Sequence, residues 1–169
     1  MLTLGIDFYS KEEKINGKNI KIKLWDTAGQ EKFHTLPYSY YKKCDGVLIT
    51  YDVTNKESFD KIYYWVKTVK KNINDKNNTK IVLIGNKIDL KEEREISEDD
   101  GKRIAKDYNI NYYETSAKEN IGINELMKDL IKDILNSRLK IKNEKENDNN
   151  NDKIQLEQTK TKNENECSC

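Results

Sequence analysis

The chain reads as an α/β domain built on a mixed, mostly parallel sheet with helices on both faces. Two continuous apolar runs, "GVLITYD" and "KIVLIGN", have the length and composition of strands covered on both sides. Helical patterns alternate with them: "ESFDKIYYWVKTVKKNI", "SEDDGKRIAKDY" and "INELMKDLIKDILNSRL". Strands alternating with helices imply parallel strands joined by crossover helices.

The elements follow in order. "TLGIDFYS" and "KNIKIKLWD" alternate apolar and polar residues around Asn16-Gly17, a two-residue hairpin signal, so residues 3–10 and 18–26 are predicted to form an antiparallel pair. "GVLITYD", "KIVLIGN" and the weaker "INYYETS" supply three further strands. Ser97, with Asp100 three residues on, makes a helix start that places a carboxylate at the positive end of the helix dipole. Pro37 restricts how far upstream a helix beyond it can extend. From about Ile141 the sequence turns to Asn, Lys and Glu with few apolar residues, so residues 1–140 form the predicted domain and 141–169 a disordered tail with a net charge of −2.

Composition narrows the function classes. A chain of 169 residues holds one ordinary domain. Its formal net charge of +1 gives no general drive toward nucleic acid, and "KIYYWVKTVKK", which mixes aromatic and basic residues, suits a helix packed on the sheet. The three cysteines, Cys44, Cys167 and Cys169, do not make a disulfide framework; a reducing compartment fits better, with Cys44 as a small core residue. No apolar stretch approaches the ~20 residues of a membrane span, and "MLTLGID" lacks the apolar region of a signal peptide.

Three polar clusters fall at predicted strand ends, where open α/β sheets hold ligands. In "NKID", residues 86–89, an amide and a carboxylate share one loop. A carboxylate accepts two parallel hydrogen bonds from the ring N–H and exocyclic amine of guanine; adenine has no such donor pair. Alone, the tetrapeptide is better read as an ordinary polar strand-to-helix loop. "TSAK", residues 115–118, adds a backbone N–H for the guanine oxygen and a lysine to cover the base. "DTAGQ", residues 26–30, offers Asp26 for a metal-bound water, the Gly29 N–H for a phosphate oxygen and Gln30 to orient an attacking water. As a bare pentapeptide it also suits a simple turn.

Together and in this order, the clusters resemble those of the small GTPases of the Ras superfamily, and "GIDF", "KIKLW", "KFHTL", "YYKKC" and "ITYDVT" sharpen the resemblance to the Rab family over residues 3 to about 138. The resemblance implies a Ras-like P-loop NTPase fold that binds GTP and GDP with Mg²⁺, hydrolyses GTP and regulates vesicle trafficking. It assigns Gln30 to catalysis; Gly29, Asn86, Lys87, Asp89, Ser116, Ala117 and Lys118 to nucleotide binding; and Thr3 and Asp26 to Mg²⁺. Phe8, Trp25 and Tyr40 become the hydrophobic triad read by effectors, and His34 an exposed partner contact. The terminal Cys-Ser-Cys matches the Rab ending that receives two geranylgeranyl groups, on Cys167 and Cys169, and is no C-a-a-X box. With no polybasic segment in the tail, two lipid chains are what stable anchoring requires. The implied partners are effectors, an exchange factor, a GTPase-activating protein, a prenylation escort and a GDP-dissociation inhibitor, at the cytoplasmic face of an endomembrane in exchange with cytosol.

One part of the pattern is absent. A phosphate-binding loop G-x-x-x-x-G-K-[ST] needs glycines five positions apart, and none of Gly5, Gly17, Gly29, Gly46, Gly85, Gly101 and Gly122 are so spaced. In a Rab-like chain the loop, first strand and first helix precede Thr3, so the sequence is expected to begin at an internal Met of a longer chain, a short isoform being the alternative. Two other readings stand beside the switch: a lipid-anchored, non-enzymatic fragment that engages effectors without nucleotide, and an interaction module of a larger assembly whose tail is a linker.

Overall fold

The computed structural model describes residues 6–15, 17–27, 41, 43–73 and 78–142. Strands β1 (Ile6–Ile15) and β2 (Lys18–Thr27) form an antiparallel hairpin that sets Phe8 opposite Trp25 and Ile15 opposite Lys18. Gly17 closes it at φ +77°, in the left-handed region that a tight two-residue turn needs. Strand β1 runs five residues further toward the turn than the alternation predicted, while β2 starts at Lys18 as expected. Their tips, where Glu12 faces Lys21, carry charged side chains, and backbone pairing does not depend on apolar ones.

Strands β3 (Gly46–Asp52), β4 (Lys80–Asn86) and β5 (Asn111–Thr115) form a parallel sheet in the order β3-β4-β5. The mixture of antiparallel and parallel pairing is as expected, divided into two ladders among the described residues. Between β3 and β4 lie helices α1 (Lys56–Asp60) and α2 (Ile62–Asn72). The single helical pattern of residues 57–73 is divided at Lys61, whose N–H is shared between the Glu57 and Phe59 carbonyls, so the ladder tightens for one residue. The Asn55 side chain caps α1 by accepting from the Ser58 N–H.

Helix α3 (Glu98–Tyr108) starts where the sequence placed it, with the Ser97 hydroxyl accepting from the Asp100 N–H at 3.1 Å and three carboxylates in its first turn. It ends on Asn109 in the left-handed conformation, φ 53°. Helix α4 covers residues 123–142, two residues past the predicted start of the tail. The remaining tail, with Cys167 and Cys169, lies outside the described residues.

Alternation along the parallel strands sends side chains to two faces, each covered by helices. Ile49, Tyr51 and Leu83 pack with Phe59, Val66 and Ala105 from α1, α2 and α3. Val82 and Ile84 pack on the opposite face against Leu126 and Leu130 of α4. Each such side chain contributes ~1.5–3 kcal/mol on burial, so both helical layers are needed to hold the three short strands. Cys44 is half-buried rather than fully inside; its Sγ–H donates to the Tyr41 carbonyl, and burial pushes the thiol pKa up. No helix among the described residues is long and apolar enough to cross a membrane.

Candidate functional site

Strands β4 and β5 end side by side, with Asn86 paired to Thr115 in the register. Two loops therefore leave the sheet from one edge, and their side chains meet. Asn86 Oδ1 accepts from the Thr115 hydroxyl and the Ala117 N–H, both at 3.1 Å. The Ser116 hydroxyl donates to Asp89 Oδ1 at 2.6 Å, and the Ile88 N–H donates to the Thr115 carbonyl at 3.2 Å. The second loop is closed on itself by reciprocal bonds between Ser116 and Ile121, each 3.0 Å. Gly122 follows at φ +72°, where an added Cβ would lie 2.4 Å from the Glu114 carbonyl oxygen, so only glycine fits.

Between the loops is a pocket of about 290 Å³ lined by Asn86, Lys87, Asp89, Leu90, Ala117 and Lys118. It falls just below the ~300–1,000 Å³ of pockets for drug-sized ligands, a size for a base rather than a whole nucleotide. Five of its six lining residues are those nominated from "NKID" and "TSAK"; Ser116, also nominated, is buried behind the wall and orients Asp89. The Ser116 hydroxyl, foremost among the causes, holds the Asp89 carboxyl below the usual carboxylate range, keeping it an acceptor at neutral pH. Lys87 adopts φ 70°, a left-handed conformation uncommon for a long side chain, and its Nζ pairs with Asp52 Oδ2 at 2.5 Å. Burial alone would raise the Asp52 carboxyl; hydrogen bonds from Lys87 and Thr54 outweigh it and hold the carboxyl low. Sequence reasoning did not nominate Asp52, although its place at the end of the β3 run was the available signal.

The remaining nominations separate into two groups. Phe8 and Trp25 oppose each other across the hairpin, with ring centroids 5.1 Å apart, and stand 52% and 43% exposed. Asp26 lies one residue further along β2. Thr3, Gly29, Gln30, His34, Pro37 and Tyr40 lie outside the described residues. A second cleft, about 1590 Å³, opens between β2 and β3 over the α4 residues Leu130, Ile131 and Ile134, with Asp26, Asn86 and Lys87 among its walls. Among the described residues β2 pairs only with β1, and β3 only with β4. No group of three potential metal ligands occurs among the described residues.

A sequence profile of the Ras family matches residues 1–136. The chain is 41% identical over 133 residues to Ras-related protein Rab-10 of Diplobatis ommata, covering 79% of this chain and 66% of that protein. It is 39% identical over 142 residues to Ras-related protein Rab-8 of the same species, covering 84% and 67%, and 38% identical over 133 residues to Ras-related protein Rab-13 of Rattus norvegicus, covering 79% and 64%. The chain thus belongs to the Ras family of small GTPases and, within it, to the Rab family. It spans about two thirds of the length of these curated relatives.

Proposed function

We propose that this chain is part of a Rab-type molecular switch that binds GTP and GDP, hydrolyses GTP and regulates vesicle-mediated membrane trafficking. The observation that carries the reading is the pocket at the ends of β4 and β5, where a low-pKa carboxylate and two lysines line a base-sized space. In this reading Asp89 accepts from the guanine ring N–H and amine, and the Ala117 N–H, bonded to Asn86 Oδ1 without nucleotide, is shared with the guanine oxygen. Lys87 and Lys118 cover the base, and Asn86 ties the two loops together.

The phosphates extend from this pocket toward Asp26 at the mouth of the cleft between β2 and β3; the family pattern puts a further parallel strand in that cleft and the phosphate-binding loop at the strand's end. Two strand edges facing one cleft with an apolar helical wall support that placement. Gly29 contributes its N–H to the terminal phosphate, and Gln30 orients the attacking water. Mg²⁺ often takes only one or two protein carboxylates with phosphate oxygens completing its shell, so Asp26, near the end of β2, suits a site completed by nucleotide. Asp26, through a water, and the Thr3 hydroxyl would hold the ion, which when bound neutralises charge on the β- and γ-phosphates.

Phe8, Trp25 and Tyr40 form the surface presented to effectors, and the exposed Phe8–Trp25 stack supports it. Prenyl groups on Cys167 and Cys169 attach the protein to the cytoplasmic face of an endomembrane, from which a GDP-dissociation inhibitor withdraws it; an exchange factor, a GTPase-activating protein and a prenylation escort complete the cycle. Titration with guanine and xanthine nucleotides tests the central assignment. Asp89→Asn should shift preference from guanine toward xanthine, and an unaltered preference refutes the base assignment. The intact mass of the native protein tests the chain's extent and lipidation. Extra N-terminal sequence plus two prenyl groups is expected; a mass of the 169 residues, with or without lipid, favours the non-enzymatic fragment instead.

A further inference from the structure

Beneath the two base loops lies a polar chain, part-buried apart from the fully buried Tyr51, that the nucleotide pocket itself does not contain. Arg94 grips Glu114 in a two-pronged bond, Nη1 to Oε1 at 2.8 Å and Nη2 to Oε2 at 2.9 Å, and Nη1 also donates to the Ile96 carbonyl at 3.1 Å. The Tyr112 hydroxyl donates to Glu114 Oε1 at 2.9 Å. A phenol has one proton, so with Tyr112 donating to Glu114, the 3.0 Å contact between the Tyr51 and Tyr112 hydroxyls has Tyr51 as donor. Donation therefore converges on the Glu114 carboxylate, from Tyr51 on β3 through Tyr112 on β5 and, from the other side, from Arg94 in the segment before α3. Tyr51 is 2% exposed, and no buried side-chain polar atom among the described residues is left unsatisfied.

Its location relates it to the loops. An added Cβ on Gly85 would lie 2.9 Å from the Tyr51 hydroxyl and 3.0 Å from that of Tyr112, so both press against β4 one residue before Asn86. Glu114 stands one residue before Thr115 and two before Ser116. The chain thus bridges the last turns of β3, β4 and β5 just before the two loops depart. Two backbone N–H bonds cross between those loops above it: Ile88 to the Thr115 carbonyl and Ala117 to Asn86 Oδ1.

We propose that Tyr51, Tyr112, Glu114 and Arg94 are positioning residues that set the separation of the two base-recognising loops, and through it the discrimination of guanine from bases lacking its 2-amino group. This rests on the pocket being the guanine site. Phenylalanine fills the space of either tyrosine, so the hydroxyl is what distinguishes positioning from packing. Once Tyr112 is Phe, nothing joins the Glu114 carboxylate to β3, and the Tyr51 hydroxyl loses its acceptor.

The decisive measurement is amide hydrogen exchange on the full 169-residue chain without nucleotide, comparing wild type with Tyr112→Phe, Tyr51→Phe and the double variant. Exchange at Ile88 and Ala117 should quicken at least roughly five- to tenfold in Tyr112→Phe, which loses its hydrogen bonds to both Glu114 and Tyr51, relative to Leu83 in mid-β4. The double variant should exchange no faster than Tyr112→Phe, because Tyr51 acts only through Tyr112. Unchanged exchange at Ile88 and Ala117, or acceleration equal to that of Leu83, overturns the proposal. If Tyr112→Phe does not fold, Tyr51→Phe, which removes only the terminal donor, gives the same comparison with the same two outcomes. Binding of GDP and inosine diphosphate then reads the consequence: the GDP preference should fall several-fold in Tyr112→Phe, and an unchanged preference rejects the specificity role. These binding measurements use the complete native protein, in which the proposed phosphate-binding loop precedes Thr3; its failure to bind either nucleotide would refute the proposed function, while hydrogen exchange would still decide the positioning.

Discussion

Replacing Gly101 by Ala sets two effects of opposite sign against each other. Gly101 lies within α3, and alanine in a helix interior is better than glycine by about 1 kcal/mol, so propensity predicts stabilisation. The structure predicts the reverse. A Cβ at Gly101 would meet the Tyr112 Cζ and Oη at 2.5 Å and Cε2 at 2.6 Å, well inside contact distance. The ring is not a loose end: its hydroxyl is held between Tyr51 and Glu114. Overpacking costs ~1–3 kcal/mol, and displacing the hydroxyl from one or both partners ~1–2 kcal/mol more. After the helix gain is subtracted, Gly101→Ala should destabilise by roughly 1–4 kcal/mol. For a chain of this size each kcal/mol lowers the midpoint of thermal unfolding by about 2–4 °C. Calorimetry or circular dichroism would measure it, and a variant as stable as wild type, or more so, would refute the packing of Tyr112 against α3.

Other predictions follow from the same geometry. Burial alone would raise the Glu114 carboxyl, yet hydrogen bonds from Arg94 and Tyr112 hold it below the usual range. As pH falls the unfolded chain therefore takes up that proton first; the contribution is full above an unfolded glutamate's pKa of about 4.3 and is lost as pH drops through the folded value. Urea unfolding at pH 3–7 should show a shallower acid limb in Glu114→Gln than in wild type, and parallel limbs would contradict the coupling. Trp25→Ala removes a 43%-exposed ring, so it should change unfolding stability by less than about 1 kcal/mol while weakening effector capture; a large loss of stability would count against the hairpin's exposed setting. In the complete protein Gln30→Leu should slow GTP hydrolysis while sparing nucleotide affinity, as single-turnover and equilibrium titrations would show; unchanged turnover would remove Gln30 from the chemistry.

The strand and helix segments were legible because each carries a local signal. The continuous apolar runs became β3 and β4, and Ser97 caps α3 through the bond its spacing implied. Boundaries were less so: charge at the tip of β1 masked residues that pair through backbone alone, and Lys61 divides a pattern that reads as one helix. For the candidate site, strand-end position and residue type were enough to nominate residues from two loops 30 residues apart, and both loops meet at one pocket.

The sequence by itself determined the family, the alternation of strands and helices, and which polar residues deserved attention, because motifs and periodicity are properties of neighbours along the chain. The tertiary structure alone decided which distant groups are partners: Lys87 with Asp52, Ser116 with Asp89, and the line from Tyr51 through Tyr112 and Glu114 to Arg94. Tyrosine, arginine and glutamate give no periodic signal for such contacts. Their pairing follows from the parallel register, which brings Tyr51, Gly85 and Glu114 level across three strands, and from the burial of Tyr51, whose hydroxyl is left the Tyr112 hydroxyl as its partner.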